Sequence, residues 1–395
     1  MLTLEVVFWV LVGVVIYTYV GYGVILCIIL KVKRIICHPK TEPQLPENEQ
    51  DYPGVTLMIC AYNEETVVGE KMKNTLLLRY PKDKLHIMWV TDGSSDRTNE
   101  LLAAYPEVQV VFSPERKGKA AAMQHGLQEN TNEFVVFTDA NTMLNSEAIS
   151  EVMRLFMQQD VGCVSGEKRV SARRKGEVAA EGEGAYWKYE SRLKQWDSEL
   201  YSAMGAAGEL FAVRMSVYQQ APSNALLDDF MISMLILKKG YRIAYTSKAY
   251  AMEYGSANLT EESKWKRRIA AGGLQSSWWL RSMMNPLRYP KVAFQFVSHR
   301  VLRWTLAPLS LVMLVPVNAV LVAAGAGWTY NAAAIVQLLF YSAALAGGIL
   351  ATRGHRHRLL YVPYYFLFMN LNVFHAVGYL HSHSHSGTWE KAERG

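Results

Sequence analysis

The 395-residue sequence is poor in cysteine. Its four thiols, Cys27, Cys37, Cys60 and Cys163, form no Cys-x-x-Cys pair. That spacing argues against a disulfide framework or a cysteine-built zinc site and leaves buried free thiols. No Gly-x-Gly-x-x-Gly follows the first buried strand and no Walker lysine loop occurs, so dinucleotide and P-loop readings lose their main support. Charge is sparse as well: charged residues make up 19% of the chain, and the formal net charge is +6. The basic residues sit just inside apolar stretches rather than in one long run. That placement favours anionic lipid headgroups or phosphates over nucleic acid as partners. The N-terminal apolar run has no basic region before it and no Ala-x-Ala site after it, which argues for an anchor rather than a cleaved leader.

What the sequence does have is apolar residues, 50% of the total, gathered at its two ends. Leu4 to Leu30 carries one charge, Glu5, and is long enough to span a bilayer core. Lys31, Lys33 and Arg34 follow it, which puts the next segment in the cytoplasm and the N-terminus outside. Val301 to Trp328 and Ala332 to Ala351 are further apolar runs, with Arg353, Arg356 and Arg358 after the second. Leu359 to Leu380 carries Pro363, Asn370, Asn372 and His375, which are costly in lipid unless packed against protein, so a crossing and an interfacial hairpin both stay open. Leu274 to Phe296 mixes Trp278 and Trp279 with Arg281, Arg288 and Lys291. It reads as an amphipathic segment in the membrane plane, with a helix of the soluble core as the alternative. The expected organisation is a transmembrane helix over 1–35, a proline-rich linker over 36–52, a globular domain over 53–255, a basic and interfacial segment over 256–300, and transmembrane or interfacial helices with a tail over 301–395. In that tail His381, His383 and His385 alternate with serine, and a solvated tail is favoured over a loose metal site.

The middle has an ordinary soluble composition. Val55 to Cys60, His86 to Val90, Val108 to Phe112 and Phe134 to Thr138 are buried-strand patterns, and helical stretches at Glu65 to Leu78, Asn99 to Tyr105 and Lys119 to Gln128 separate them. Such alternation predicts an α/β fold with a mostly parallel sheet and helices on both faces. Ligands of such sheets bind beyond the carboxyl ends of the strands. There the sequence places Ala61-Tyr62-Asn63-Glu64, Asp92-Gly93-Ser94-Ser95-Asp96, Lys117-Gly118-Lys119 and Asp139-Ala140-Asn141. Acidic groups at several strand ends, with lysines entering a helix N-terminus, suit a phosphorylated ligand and a hard divalent ion, Mg2+ or Mn2+. Taken singly, Asp92 to Asp96 and Asp139 to Asn141 could equally be strand-ending turns.

In combination these residues resemble the family 2 glycosyltransferases. Val55 to Glu64 is similar to that family's opening strand and loop, and Val90 to Thr98 to its second motif. Thr138-Asp-Ala-Asn141 resembles its metal-binding DxD motif, and Leu227-Asp228-Asp229-Phe230 its acidic catalytic motif. The flanking apolar segments match the membrane branch, which includes hyaluronan, chitin, cellulose and poly-N-acetylglucosamine synthases. The resemblance implies a GT-A fold and inverting transfer from a nucleotide sugar, UDP-linked, to a glycan or lipid-linked acceptor at the cytoplasmic membrane face. It also implies roles for matching positions. Glu64 and Asp92 would hold the nucleoside, and Lys119 the ribose or phosphates. Asp139 and Asn141 would meet metal and diphosphate. Asp229, with Asp228 as its neighbour, would deprotonate the acceptor hydroxyl, and both could also cap the helix that starts near Met231.

Two positions depart from the family pattern. Asn141 puts a neutral oxygen where the second DxD carboxylate stands. The Gln-x-x-Arg-Trp motif of processive members is represented by Trp265 to Ile269, without its glutamine and tryptophan, although Arg267 and Arg268 can still neutralise a diphosphate. Polymer synthesis, single addition to a lipid-linked acceptor, and an inactive sensor or scaffold subunit therefore remain open, the intact Asp228-Asp229 pair arguing against the last. Gly205 to Phe211 is expected on the acceptor side, with a plain tight turn as the alternative; Tyr186, Trp187 and Trp196 are candidates to stack on sugars, with core packing expected for at least one of them. Three crossings are few to enclose a glycan path alone, which points either to single addition on a lipid-linked acceptor or to a homo-oligomer or export partner.

Overall fold

The computed structural model describes residues 1–36, 43–171, 178–254, 259–353 and 357–382. Cys37, the His383 to Gly395 tail and the side chains of Tyr186 and His381 lie outside the described residues. The chain divides into two compact units. One is globular and comprises Val32–Ser171 with Trp187–Gly255; the other gathers Met1–Lys31, Ala172–Tyr186 and Ser256–Ser382.

The globular unit is built on an eight-stranded mixed sheet. Its strands are β1 (Val55–Ala61), β2 (Leu85–Asp92), β3 (Val108–Ser113), β4 (Phe134–Asp139), β5 (Met143–Leu144), β6 (Val161–Ser171), β7 (Leu210–Arg214) and β8 (Arg242–Tyr254), in the order β3-β2-β1-β4-β7-β6-β8-β5. The first four are the strands the apolar runs predict, and they pair in parallel. Beyond β4 the sheet becomes mixed: β7 runs antiparallel to both β4 and β6, while β6 and β8 are parallel. Phe137 and Phe211 are register partners across β4 and β7, and their rings stack at 4.8 Å. Such a pair contributes about 0.5–1.5 kcal/mol beyond its buried area, which helps hold the antiparallel half against the parallel half.

The helices are α1 (Val68–Leu76), α2 (Thr98–Leu102), α3 (Lys119–Gln128), α4 (Ala148–Phe156), α5 (Val178–Leu200) and α6 (Asp228–Lys238). Val68, Met72, Val152 and Phe156 pack with Leu57, Ile59, Trp89 and Val136 in the principal core. On the other face, Gly126 of α3 lets the helix lie against Met58 and Val90. Parallel pairing fixes the functional geometry, because all four parallel strands end on the same edge. The register sets Cys60 beside Asp139, and Asp92 beside Ser113.

The other unit is helical. Three helices among the described residues are long and apolar enough to cross a membrane: Leu2–Ile36, which contains a π turn at Tyr17–Gly21, Leu306–Ala323, and Trp328–Thr352. Phe8 packs with Leu314, Val317, Leu321 and Tyr330. Asn318, buried in this apolar setting, donates its amide N–H groups to the Tyr330 carbonyl (3.2 Å) and to Gln337 Oε1 (3.1 Å). Residues 359–380 form no hairpin but part of one helix, Arg358–Ser382. Its asparagines are paired: Tyr19 donates to Asn370 Oδ1, and Ser263 donates to Asn372 Oδ1 at 3.1 Å. The predicted amphipathic stretch resolves into the end of a long helix (Leu259–Trp279), a 3-10 turn (Arg281–Met284) and a short helix (Pro290–Phe296). Leu280, Met283 and Phe296 point inward, while Trp278, Arg281 and Leu287 face outward.

Candidate active site

The loop after β1 and the loop after β2 interlock. Asn63 adopts a left-handed conformation (φ 52°), which asparagine tolerates better than most residues, and its side-chain oxygen accepts from the Ser95 N–H at 2.8 Å. Glu64 follows, its backbone N–H donating to Thr98 Oγ1 at 2.8 Å. Arg116 lies over the Tyr62 ring at 3.9 Å.

Asp92 ends β2 and is buried. Both its oxygens accept backbone N–H groups, Oδ1 from Lys117 (2.9 Å) and Oδ2 from Gly118 (2.7 Å). The carboxylate thus braces the turn that starts α3. Gly93 beside it has φ 68°, and a β-carbon there would lie 2.6 Å from the Arg116 nitrogen, so the close approach of the two loops needs glycine.

Braced in this way, α3 begins at Lys119, which ion-pairs with Asp139 at the end of β4. Burial alone would lower the Lys119 ammonium, but Asp139 and Asp228 outweigh it and raise it well above the usual lysine range. The same ammonium reaches the Gly208 carbonyl at 3.5 Å. Gly208 in turn lies against Asp229, where a β-carbon would sit 2.9 Å from Oδ2. Lys119, Asp139, Gly208 and Asp229, drawn from four separate segments, therefore form one cluster. Cys60 lies within it, its thiol pushed up to about 12 by burial, with Asp139 and Asp228 adding to the shift against Lys119.

Asp229 carries the chemistry best suited to proton transfer. The helix starts at Asp228, three residues before the expected start near Met231, and Leu227 occupies the cap without a side-chain bond. Asp229 Oδ1 accepts from the Phe230 N–H at 2.8 Å. Burial first, and the neighbouring Asp228 second, raise the Asp229 carboxyl to about 7, against the opposing pull of Lys119 and the Phe230 bond. A carboxylate poised there is basic enough to take a hydroxyl proton near neutral pH.

Two charged groups of this region are not marked by the motifs. Lys71 of α1 has no exposed surface; its ammonium donates to the Thr142 carbonyl (2.6 Å) and to Thr138 Oγ1 (3.3 Å). Burial lowers it to about 7, with Asp139 opposing the fall. Thr138 Oγ1 also bonds the Glu209 carbonyl at 2.9 Å, so this lysine underpins the turn that carries Asp139 and Asn141. The signal for it is helical spacing: Val68, Lys71, Met72 and Thr75 all fall on the buried face. The second group is a buried ion triad. Lys168 pairs with Glu209 at 2.5 Å and with Glu253 at 2.7 Å, and it lies 5.1 Å from the Trp187 ring centre.

Among the described residues no three His, Cys, Asp or Glu side chains converge as a metal cage. Lys119 bonds Asp139 through Oδ1, and Asn141, half-buried, follows in the same turn. One carboxylate oxygen and one amide oxygen fit a hard divalent ion whose shell is completed by substrate phosphates and water, the usual mode for magnesium. Arg267 and Arg268 lie half-buried on the Leu259–Trp279 helix, which belongs to the other unit.

Residues 53–272 match a family profile described as glycosyltransferase like family 2. The chain is 27% identical over 227 residues to a probable glycosyltransferase of Bacillus subtilis, YdaM, covering 53% of each. It is 25% identical over 270 residues to the poly-beta-1,6-N-acetyl-D-glucosamine synthase of Staphylococcus aureus, covering 65% of this chain and 64% of that one. The match thus spans about half to two-thirds of these relatives' lengths. In fold the chain is similar to a mannosyltransferase from Pyrobaculum calidifontis in complex with GDP-mannose and Mn2+, with a TM-score of 0.69 at 21% identity over 95% of this chain and 98% of that one.

Proposed function

The chain belongs to the glycosyltransferase like family 2, and we propose that it transfers a sugar, with inversion, from a nucleoside diphosphate sugar to a hydroxyl of a glycan or lipid-linked acceptor at the cytoplasmic face of a membrane. The observation that carries this reading is Asp229, a half-buried carboxyl at the start of α6 that lies against Gly208 beside the Lys119–Asp139 pair and is raised above the usual carboxylate range by desolvation.

In this reading Asp229 accepts the acceptor hydroxyl's proton as that oxygen bonds to the anomeric carbon. The bond from that carbon to the diphosphate oxygen breaks on the opposite side, and the nucleoside diphosphate leaves. One base suffices, which is the economy of direct inversion. Gly208, with no side chain, lets the Asp229 carboxylate and the Lys119 ammonium sit close against the backbone at this point. Lys119 faces the diphosphate, Glu64 and Asp92 belong to the loops that receive the nucleoside, and Arg267 and Arg268 are proposed as charges able to neutralise the leaving diphosphate. Asp139 and Asn141 would hold Mg2+ or Mn2+, which supplies charge neutralisation for the departing diphosphate.

We favour a UDP-hexose or UDP-N-acetylhexosamine donor, in keeping with the poly-N-acetylglucosamine synthase relative, while the structural neighbour is in complex with GDP-mannose. Polysaccharide synthesis is the leading product reading. Single addition is the second, favoured by Ile269 where processive members carry tryptophan. The test incubates the purified full chain with radiolabelled UDP-sugars and GDP-mannose, with Mn2+ or Mg2+, and sizes the products. A ladder indicates polymer synthesis, and one discrete lipid product single addition. No transfer from any donor, or an Asp229→Asn variant as fast as wild type, sinks the reading.

A further inference from the structure

The helical unit carries a patch of charge that the transfer chemistry does not use. A groove of about 450 Å³ is walled by Trp279, Arg281, Ser282, Asn285 and Arg288. Its polar side chains are set to donate. Arg281 lies over the Trp278 ring at 4.8 Å and spends one N–H on the Trp278 carbonyl at 3.2 Å, leaving the rest of its fork outward. Asn285 accepts the Leu287 N–H on its side-chain oxygen at 2.9 Å, so the group it can still offer is its NH2. Arg288 rests beside the Tyr289 ring at 5.4 Å. Neither arginine has a carboxylate within ion-pair distance among the described residues.

The surrounding sequence explains why. From Ser263 to Trp389 there is not one Asp or Glu, while Arg281, Arg288 and Lys291 fall within eleven residues of one another. The counter-charge for this groove must come from outside the segment. Guanidinium forks, a hydroxyl and an amide N–H match an acceptor with several oxygens, as a phosphate has. The rim decides which phosphate. Leu287, next to Arg288, is 94% exposed, and Trp278, under Arg281, is 68% exposed. Apolar side chains held out beside arginines suit the boundary of acyl chains and headgroups, where tryptophan and arginine both gain, rather than a soluble anion. Buried Leu280 and Met283 fasten the backbone beneath, so the groove is held in shape.

We infer that the groove walled by Trp279, Arg281, Ser282, Asn285 and Arg288 binds the phosphate headgroup of an anionic lipid. This binding is independent of the chemistry at Asp229. The test uses the full chain in neutral detergent and counts the lipid it retains, by native mass spectrometry, from equimolar phosphatidylglycerol and phosphatidylcholine. Wild type is expected to prefer phosphatidylglycerol. Replacing Arg281→Gln together with Arg288→Gln should cut that preference about tenfold. Arg353→Gln, outside the groove, should leave it unchanged, and inorganic phosphate at matched concentration should not displace the lipid. Retention of the preference by the double variant, an equal loss in Arg353→Gln, or displacement by inorganic phosphate would each overturn the assignment. A thermal melt checks that the double variant folds. If it does not, Arg281→Lys with Arg288→Lys must give an intermediate preference, and the wild-type preference must fall with added sodium chloride; failure of either overturns the assignment equally.

Discussion

Gly208 and Asp229 approach so closely that a β-carbon on the glycine would lie 2.9 Å from Asp229 Oδ2 and 3.4 Å from Lys119 Nζ. Gly208→Ala is therefore expected to push the carboxylate off its position without unfolding the sheet beneath it. A displacement of about 1 Å at a reacting group can cost on the order of 100-fold in rate. Steady-state kinetics should show kcat falling by about that factor while the melting temperature changes little.

The raised Asp229 carboxyl makes two predictions of opposite direction. A base must be deprotonated, so kcat should climb as pH rises through about 7 and then level off. For stability, the folded-state value lies above the unfolded one of 3.8, so the folded protein binds the extra proton between them. Stability contributed by this group is present at low pH and lost as pH rises toward about 7. Asp229→Asn should thus melt higher than wild type at pH about 8, with the gap closing near pH about 4, while transfer drops by about 100-fold or more.

Lys71 offers a test of support from beneath. Lys71→Met should lower kcat/KM about tenfold, because the Thr142 carbonyl and Thr138 hydroxyl lose their donor. The pH signature separates this from a general loss of packing. The lysine's folded value of about 7 lies below its ordinary 10.5, so the unfolded chain binds the extra proton between them, and wild-type stability gains as pH rises across that window. The methionine variant lacks that gain, so its melting temperature relative to wild type should fall from pH about 7 to pH about 10.

Asp92→Asn keeps the shape of the loop brace but removes its charge. Hydrogen bonds to charged groups are worth about 1.5–3 kcal/mol, and the asparagine can replace only part of that with the Lys117 and Gly118 N–H groups. The variant should melt several degrees lower and bind nucleotide more weakly, measured by calorimetry.

Chelation tests the Asp139–Asn141 turn. EDTA should abolish transfer and added Mn2+ or Mg2+ should restore it. Asp139→Asn should need more metal for half-maximal rate than wild type, and unchanged activity in EDTA would remove the metal from the mechanism.

The parallel half of the sheet was legible because each of its strands is a continuous apolar run ended by a turn residue, and α3 spans the stretch from Lys119 to Gln128 that its alanines mark. The other half was not. In β6, Ser165, Gly166, Glu167 and Lys168 interrupt the apolar pattern, because Lys168 is buried against carboxylates that arrive from β8 and from the turn before β7. A charge neutralised by partners 41 and 85 residues away leaves no local periodicity to read. For the same reason the motifs named Asp139 and Asp229 but not Lys71, whose partners lie on another segment.

The triad of Lys168, Glu209 and Glu253 also bears on how this site can change over generations. Losing one member of a buried charge set costs about 3–5 kcal/mol, enough to exhaust much of a domain's stability margin. Glu209 adjoins Gly208, so the triad ties the neighbourhood of the proposed base to β6 and β8. Lineages that remodel this corner for a different acceptor must replace the three charges in concert, and comparison of related sequences should find these positions drifting as a set rather than one at a time.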